Sequence, residues 1–180
     1  MKVKKVKSEN VKGFRKFGLV LFVLAVTPLF GQSVNPAKLK INGVVGLDST
    51  YAQVIKLFGR PRKETKPVTS ECTGDRERSV EYNGLSFYFA DGPGPSKKTF
   101  LVMSFDLTSP KYTVSGVKVG DTEAVVKSKF GNRYTVDTDT ATGEKTWRYD
   151  ISERNGGPGG TTVTFKNGKV VSIGSGFLLC

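Results

Sequence analysis

Apolar and polar side chains alternate strictly over several short stretches of this chain. Leu85, Phe87 and Phe89 fall on one side of an extended strand, Ser86 and Tyr88 on the other. Val163 and Phe165 oppose Thr162, Thr164 and Lys166 in the same way, and Trp147, Tyr149 and Ile151 oppose Thr146, Arg148 and Asp150. With their flanks, these runs predict strands at 79–82, 85–89, 99–107, 145–151, 161–166 and 169–173. Asn83-Gly84 and Asn167-Gly168 separate neighbouring runs by two residues that tolerate positive φ, which is a tight-hairpin signal. One sheet face is then aromatic and apolar and needs a cover, while the other is polar.

Two further stretches follow the helical period. Tyr51, Val54, Ile55 and Phe58 stand at i, i+3, i+4 and i+7. Asp48 or Ser49 is placed to cap this helix, and Asp121 to cap a second one carrying Val125, Val126 and Phe130. Gly59 and Gly131 follow the last apolar residue, and Pro61 prevents the first helix from resuming. The two stretches also align with each other without a gap: Thr50/Thr122, Ala52/Ala124, Val54/Val126, Phe58/Phe130 and Gly59/Gly131 coincide. Asn42-Gly43-Val44 and Ser115-Gly116-Val117 precede them, and Phe89-Ala-Asp-Gly92 and Phe165-Lys-Asn-Gly168 follow in the same order. The expectation is an α+β fold of two tandem repeats, residues 34–110 and 111–180. Each is a short helix followed by a three-stranded antiparallel meander, with the helices packed on one face of the sheet.

The N-terminus is of another kind. Residues 1–17 hold seven Lys or Arg against Glu9, and Gly18 to Phe30 carries no charge. Gly31, Gln32 and Ser33 then offer small or polar residues. This is the order of a secretory signal, assigned to residues 1–33 with cleavage after Gly31 or Ser33. As a helix the apolar run reaches roughly 20 Å, short of the ~30 Å hydrocarbon core, so an uncleaved anchor is the lesser alternative. The implied location is the periplasm or the medium.

Charge and chemistry narrow the function. The chain carries a formal +12; seven of its 28 bases and one of its 16 acids lie in the first 31 residues, which leaves +6 spread along the rest. No basic stripe suits nucleic acid. Histidine is absent and there are two cysteines, Cys72 and Cys180, so His-based nucleophile pairs and His/Cys zinc sites drop out. No catalytic residue, metal site or cofactor is assigned. In an oxidising compartment Cys72 and Cys180 most simply pair, closing a loop worth on the order of 4–5 kcal/mol; separate thiols or an intermolecular bond are the alternatives. Asp75, Glu77 and Glu81, interleaved with Arg76 and Arg78, read as a solvated charge run.

These residues resemble a known family. The pattern G-x-[ST]-x-x-x-V-x-x-x-[LF]-G, then a meander ending in F-x-[DN]-G, resembles the SmpA/OmlA (BamE) fold, and two such units in tandem resemble the β-lactamase-inhibitor-protein architecture. Gly120, Thr122, Val126, Phe130, Gly131, Phe165 and Gly168 match in one unit; Thr50, Val54, Phe58, Gly59, Phe89 and Gly92 match in the other, where Asp48 replaces the leading Gly. The resemblance implies non-catalytic protein binding at the cell envelope, and no cysteine near residue 33 forms a lipobox. The functional expectation is a monomeric, exported module that binds an envelope or secreted protein through its solvent-facing sheet residues Tyr88, Arg148, Thr164 and Lys166. The alternative is a binder of an anionic polymer or membrane surface through a mildly basic face.

Overall fold

The strands of both halves of the chain share one sheet. The computed structural model describes residue 35 and residues 38–92, 99–151 and 159–177. Helix α1 (Tyr51–Phe58) is followed by β1 (Lys63–Glu64), β2 (Val68–Thr69), β3 (Arg76–Tyr82), β4 (Leu85–Asp91) and β5 (Phe100–Leu107). Helix α2 (Glu123–Phe130) is followed by β6 (Thr135–Asp139), β7 (Glu144–Ile151), β8 (Gly159–Lys166) and β9 (Lys169–Phe177). Pairing is antiparallel throughout, in the order β1-β3-β4-β5-β9-β8-β7-β6, with β2 also on β3.

This corrects the expected architecture of two helix-plus-meander repeats. Among the described residues the fold is dominated by a single nine-stranded sheet with two helices of eight residues each. β5 and β9 pair directly, Ser104 opposite Gly176 and Leu107 opposite Ile173. The physical reason is the edge: a meander ending at β5 or β9 leaves a long row of N–H and C=O groups without partners, and joining the two satisfies both rows. β9 also runs to Phe177, past the expected strand at 169–173, and Gly176 is paired on both sides. β1, β2 and β6 lie outside the alternating set; all their residues are exposed, so they carry no apolar period.

The helix ends also differ in detail from expectation. Thr50, not Asp48 or Ser49, caps α1 in a capping box with Gln53, at 3.2 Å and 2.7 Å. Thr122, not Asp121, caps α2. Each helix start is pinned to the sheet by backbone bonds: Val102 N–H donates to Ser49 at 2.8 Å, and Val170 N–H to Asp121 at 2.9 Å. Both pins lie beside irregularities of the ladder, where Met103 and Val171 interrupt the pairing between Tyr88 and Phe89 and between Thr164 and Phe165.

The core lies on one side of the sheet. Val80, Phe87, Phe89, Val102, Phe105, Trp147, Tyr149, Val163, Phe165 and Ile173 are buried there. Val54 of α1 and Val126 and Phe130 of α2 close on them from above. Between the helices the cover is completed by two irregular segments, 38–47 and 112–118, which bury Leu39, Ile41, Val45, Leu47, Tyr112, Val114 and Val117. These segments hold each other: Ile41 bridges Val114, Asn42 N–H donates to Thr113 at 2.8 Å, and Ser115 N–H to Lys40 at 2.9 Å. Among the described residues no helix is long and apolar enough to cross a membrane.

Candidate functional site

The opposite face of the sheet has no such cover. Register places Ser79, Tyr88, Ser104, Gly176, Gly160 and Asp150 in one row across the strands. The next row reads Lys63, Glu81, Ser86, Asp106, Gly174, Thr162, Arg148 and Thr135. On β3, β4, β5, β7, β8 and β9 these are polar or small residues because each alternates with a buried residue on its own strand.

The middle of the face is low. A methyl group at Gly176 would stand 2.4 Å from the Ser104 Cβ, and one at Gly160 would stand 2.9 Å from the Tyr149 carbonyl oxygen. One at Gly174 would meet the Asp106 carboxylate at 2.7 Å and the Thr162 hydroxyl at 3.0 Å. Glycine therefore lets β5, β9 and β8 approach closely, and a floor of Ser104, Gly160, Gly174 and Gly176 separates the taller side chains on either side. Tyr88 rises on β4 and Arg148 on β7, four strand spacings apart, or about 19 Å.

All four residues expected to form the contact surface, Tyr88, Arg148, Thr164 and Lys166, belong to this face, but they do not form one cluster. Tyr88 is half-buried and donates from its hydroxyl to Glu77. Arg148 is exposed. The Thr164 hydroxyl lies 3.1 Å from that of Thr146, and Lys166 reaches Glu144 at 3.4 Å near the hairpin end. Residues that sequence reading missed are the glycines between them. Gly174-Ser-Gly176 inside a strand was the available signal, since glycine in a strand interior marks close approach of another backbone.

Charge on this face runs against the net charge of the chain. Among the described residues Glu77, Glu81, Asp106, Asp137, Asp139, Glu144 and Asp150 outnumber Arg62, Lys63, Arg148, Lys166 and Lys169. At one end a depression of about 200 Å³ is lined by Glu81, Tyr82, Gly84, Leu85, Ser86, Asp106 and Thr108. Asp106 is exposed as a residue, yet its carboxyl lies down against the sheet, and this partial desolvation raises its pKa. On the covered side, burial pushes the Tyr82 phenol up to about 12 and raises that of Tyr149 further. The charge run 75–81 is not merely solvated. Arg76 forms a bidentate pair with Asp91 at 2.9 Å, Arg78 pairs with Glu64 and lies 4.2 Å over the Tyr51 ring, and Glu81 pairs with Lys63 at 3.3 Å.

No family model matches the chain, and no curated protein matches it. Among solved structures it is similar to an extracellular protein containing a SCP domain from Bacillus anthracis str. Ames, at 11% identity and a TM-score of 0.44. The match covers 98% of this chain and 50% of that one, so the chain spans about half the length of that protein. A likeness at this level carries no functional argument.

Two expectations fall wholly or partly outside the described residues. Residues 1–33, the expected signal, lie outside them, as does Cys180. Cys72, on the exposed turn between β2 and β3, is not a free thiol. Among the described residues no group of three or more Cys, Asp or Glu comes together in a way that could hold a metal ion.

Proposed function

We propose that this is an exported, non-catalytic protein-binding module, monomeric in its unbound form, and that its partner docks on the uncovered face of the sheet. One observation carries the reading. A wide sheet is covered on one side by helices and two irregular segments, while its other side presents Tyr88 and Arg148 about 19 Å apart over a glycine and serine floor. A low floor between taller walls suits a protruding protein segment, and Tyr and Arg are the side chains that most often dominate such contacts. The acidic surplus of the face favours a partner with exposed Lys or Arg. Export is proposed on the N-terminal sequence alone, and the motif resemblance to SmpA/OmlA (BamE) proteins favours an envelope protein as the partner. A Cys72–Cys180 disulfide belongs to the same proposal.

The test uses the exported protein, immobilised and exposed to envelope extract, beside Tyr88→Ala and Arg148→Glu variants. The expected result is one captured protein whose retention falls roughly 30-fold or more in either variant, the size of a central contact, with unchanged melting temperatures. Capture that ignores both substitutions removes the sheet face as the site. Intact-mass measurement of exported material that retains Met1 in the membrane fraction removes the compartment assignment.

A further inference from the structure

The covering layer opposite the sheet face carries the charge that the sheet face lacks. Lys56 on α1, Lys127 and Lys129 on α2, Lys40 and Lys118 on the irregular segments, and Lys111 just before the second of them are all exposed. Among the described residues none of the six forms an ion pair. Contacts tie three of them into this layer. The Lys40 N–H donates to the Ser115 hydroxyl at 3.2 Å and its carbonyl accepts from the Ser115 N–H at 2.9 Å, a methyl group at Gly116 would stand 3.7 Å from the Lys129 side chain, and Lys111 lies beside Tyr112, which packs against Phe58 of α1. The acids here are fewer: Asp48, Asp121, whose carboxylate accepts the Lys118 N–H at 2.9 Å, and Glu123, already paired with Lys145.

Two large apolar side chains stand among these cations. Val44 is 59% exposed at the tip of the 42–44 turn, and Leu57 is 45% exposed on the outer side of α1. Lysines interspersed with exposed apolar groups are what an anionic lipid interface selects, because the charges meet headgroups while the apolar tips enter the boundary region.

We propose that the helix-side layer docks on an anionic phospholipid surface, leaving the acidic sheet face turned away from the bilayer and open to a partner. Sign complementarity sets the orientation, since the sheet face is repelled by the surface that attracts the lysines. This goes beyond the protein-binding reading and uses the other side of the molecule.

The test is co-sedimentation of the exported protein with vesicles of phosphatidylcholine alone or mixed equally with phosphatidylglycerol. Binding is expected only to the mixed vesicles and falls as salt rises. The triple variant Lys40→Gln/Lys118→Gln/Lys129→Gln loses on the order of a hundred-fold, about five-fold for each lysine. A sheet-face control, Arg148→Gln/Lys166→Gln/Lys169→Gln, binds as the parent does. Val44→Ser/Leu57→Ser weakens the binding that survives at high salt, and matching circular dichroism melts show that each variant is folded. Absence of binding to mixed vesicles, equal losses in both triple variants, or binding to soluble polyphosphate without binding to vesicles would each overturn the proposal. Failure of partner capture on the sheet face leaves these results unchanged, so the two proposals stand or fall separately.

Discussion

Replacing Gly176 by alanine adds one methyl group at the seam between β5 and β9. Gly176 is outside the positive-φ set, so alanine brings no backbone strain and its effect comes from contact alone. The new carbon would lie 2.4 Å from the Ser104 Cβ and 3.1 Å from the Met103 carbonyl oxygen. Carbon atoms rest at about 3.5–4.0 Å, so the overlap exceeds an ångström, and a Cβ cannot rotate away as a side-chain tip can. The strands must part locally, at a cost of about 1–3 kcal/mol. For a domain of this size 2 kcal/mol lowers Tm by roughly 5–10 °C. Gly174→Ala meets only the ends of Asp106 and Thr162, which can turn, so its cost should be smaller. Urea and thermal melts of both variants, with Ser104→Gly and the double variant Ser104→Gly/Gly176→Ala, complete the cycle. Ser104→Gly removes the opposing carbon and should recover about 1–2 kcal/mol of the loss. Gly176→Ala melting with the parent, or gaining nothing from Ser104→Gly, refutes the close-seam argument.

Phe130→Ala should cost about 3–5 kcal/mol in urea melts, because Phe130 is fully buried against Tyr149; Phe58→Ala, half-buried against Tyr82, Phe87 and Tyr112, should cost less, and the reverse order would contradict the packing. Burial holds the Tyr82 phenol protonated up to about 12, against an ordinary value near 10, so its stabilisation is whole below pH ~10 and is lost as pH rises from ~10 to ~12. A Tyr82→Phe variant should show a shallower alkaline loss of Tm over that window; an identical alkaline limb would count against it. Non-reducing peptide maps should recover Cys72 joined to Cys180, and reduction should lower Tm; two unlinked peptides, or a Tm indifferent to reductant, would contradict the pairing.

Local periodicity made much of this molecule legible. The alternation of Leu85, Phe87 and Phe89, and of Val163 and Phe165, located strands and assigned their faces, and Asn83-Gly84 and Asn167-Gly168 form the expected turns. The caps slipped by one or two residues because Asp48, Ser49 and Thr50 are all competent acceptors; only Thr50 has Gln53 three residues on to close the box. The union of β5 with β9 was not legible, since edge-to-edge pairing between distant segments leaves no period in either one. The irregular cover was missed for a related reason. Ile41 and Val45, and Val114 and Val117, are single pairs too short to establish a helical or strand period, and their burial depends on a mutual contact more than seventy residues apart in sequence. Alternation alone put Tyr88, Arg148, Thr164 and Lys166 on the uncovered face, but the acidic balance of that face requires the register of the whole sheet.

The position of β9 has a consequence for how the chain must be made. The last strand in sequence, ending at Phe177, is laid between β5 and β8 in the middle of the sheet. Until those residues emerge, β5 lacks a neighbour on one side and α2 lacks the Val170 backbone that anchors its start. Until β9 is made the sheet therefore cannot close, and the strands that flank it stay open. Such an order slows folding, because the decisive pairing is between distant segments, and it lengthens the exposure of unpaired strands to neighbouring chains. Under the proposed export the same delay is an advantage: the strand that joins the two halves follows the others through the pore, and the sheet cannot lock before it arrives.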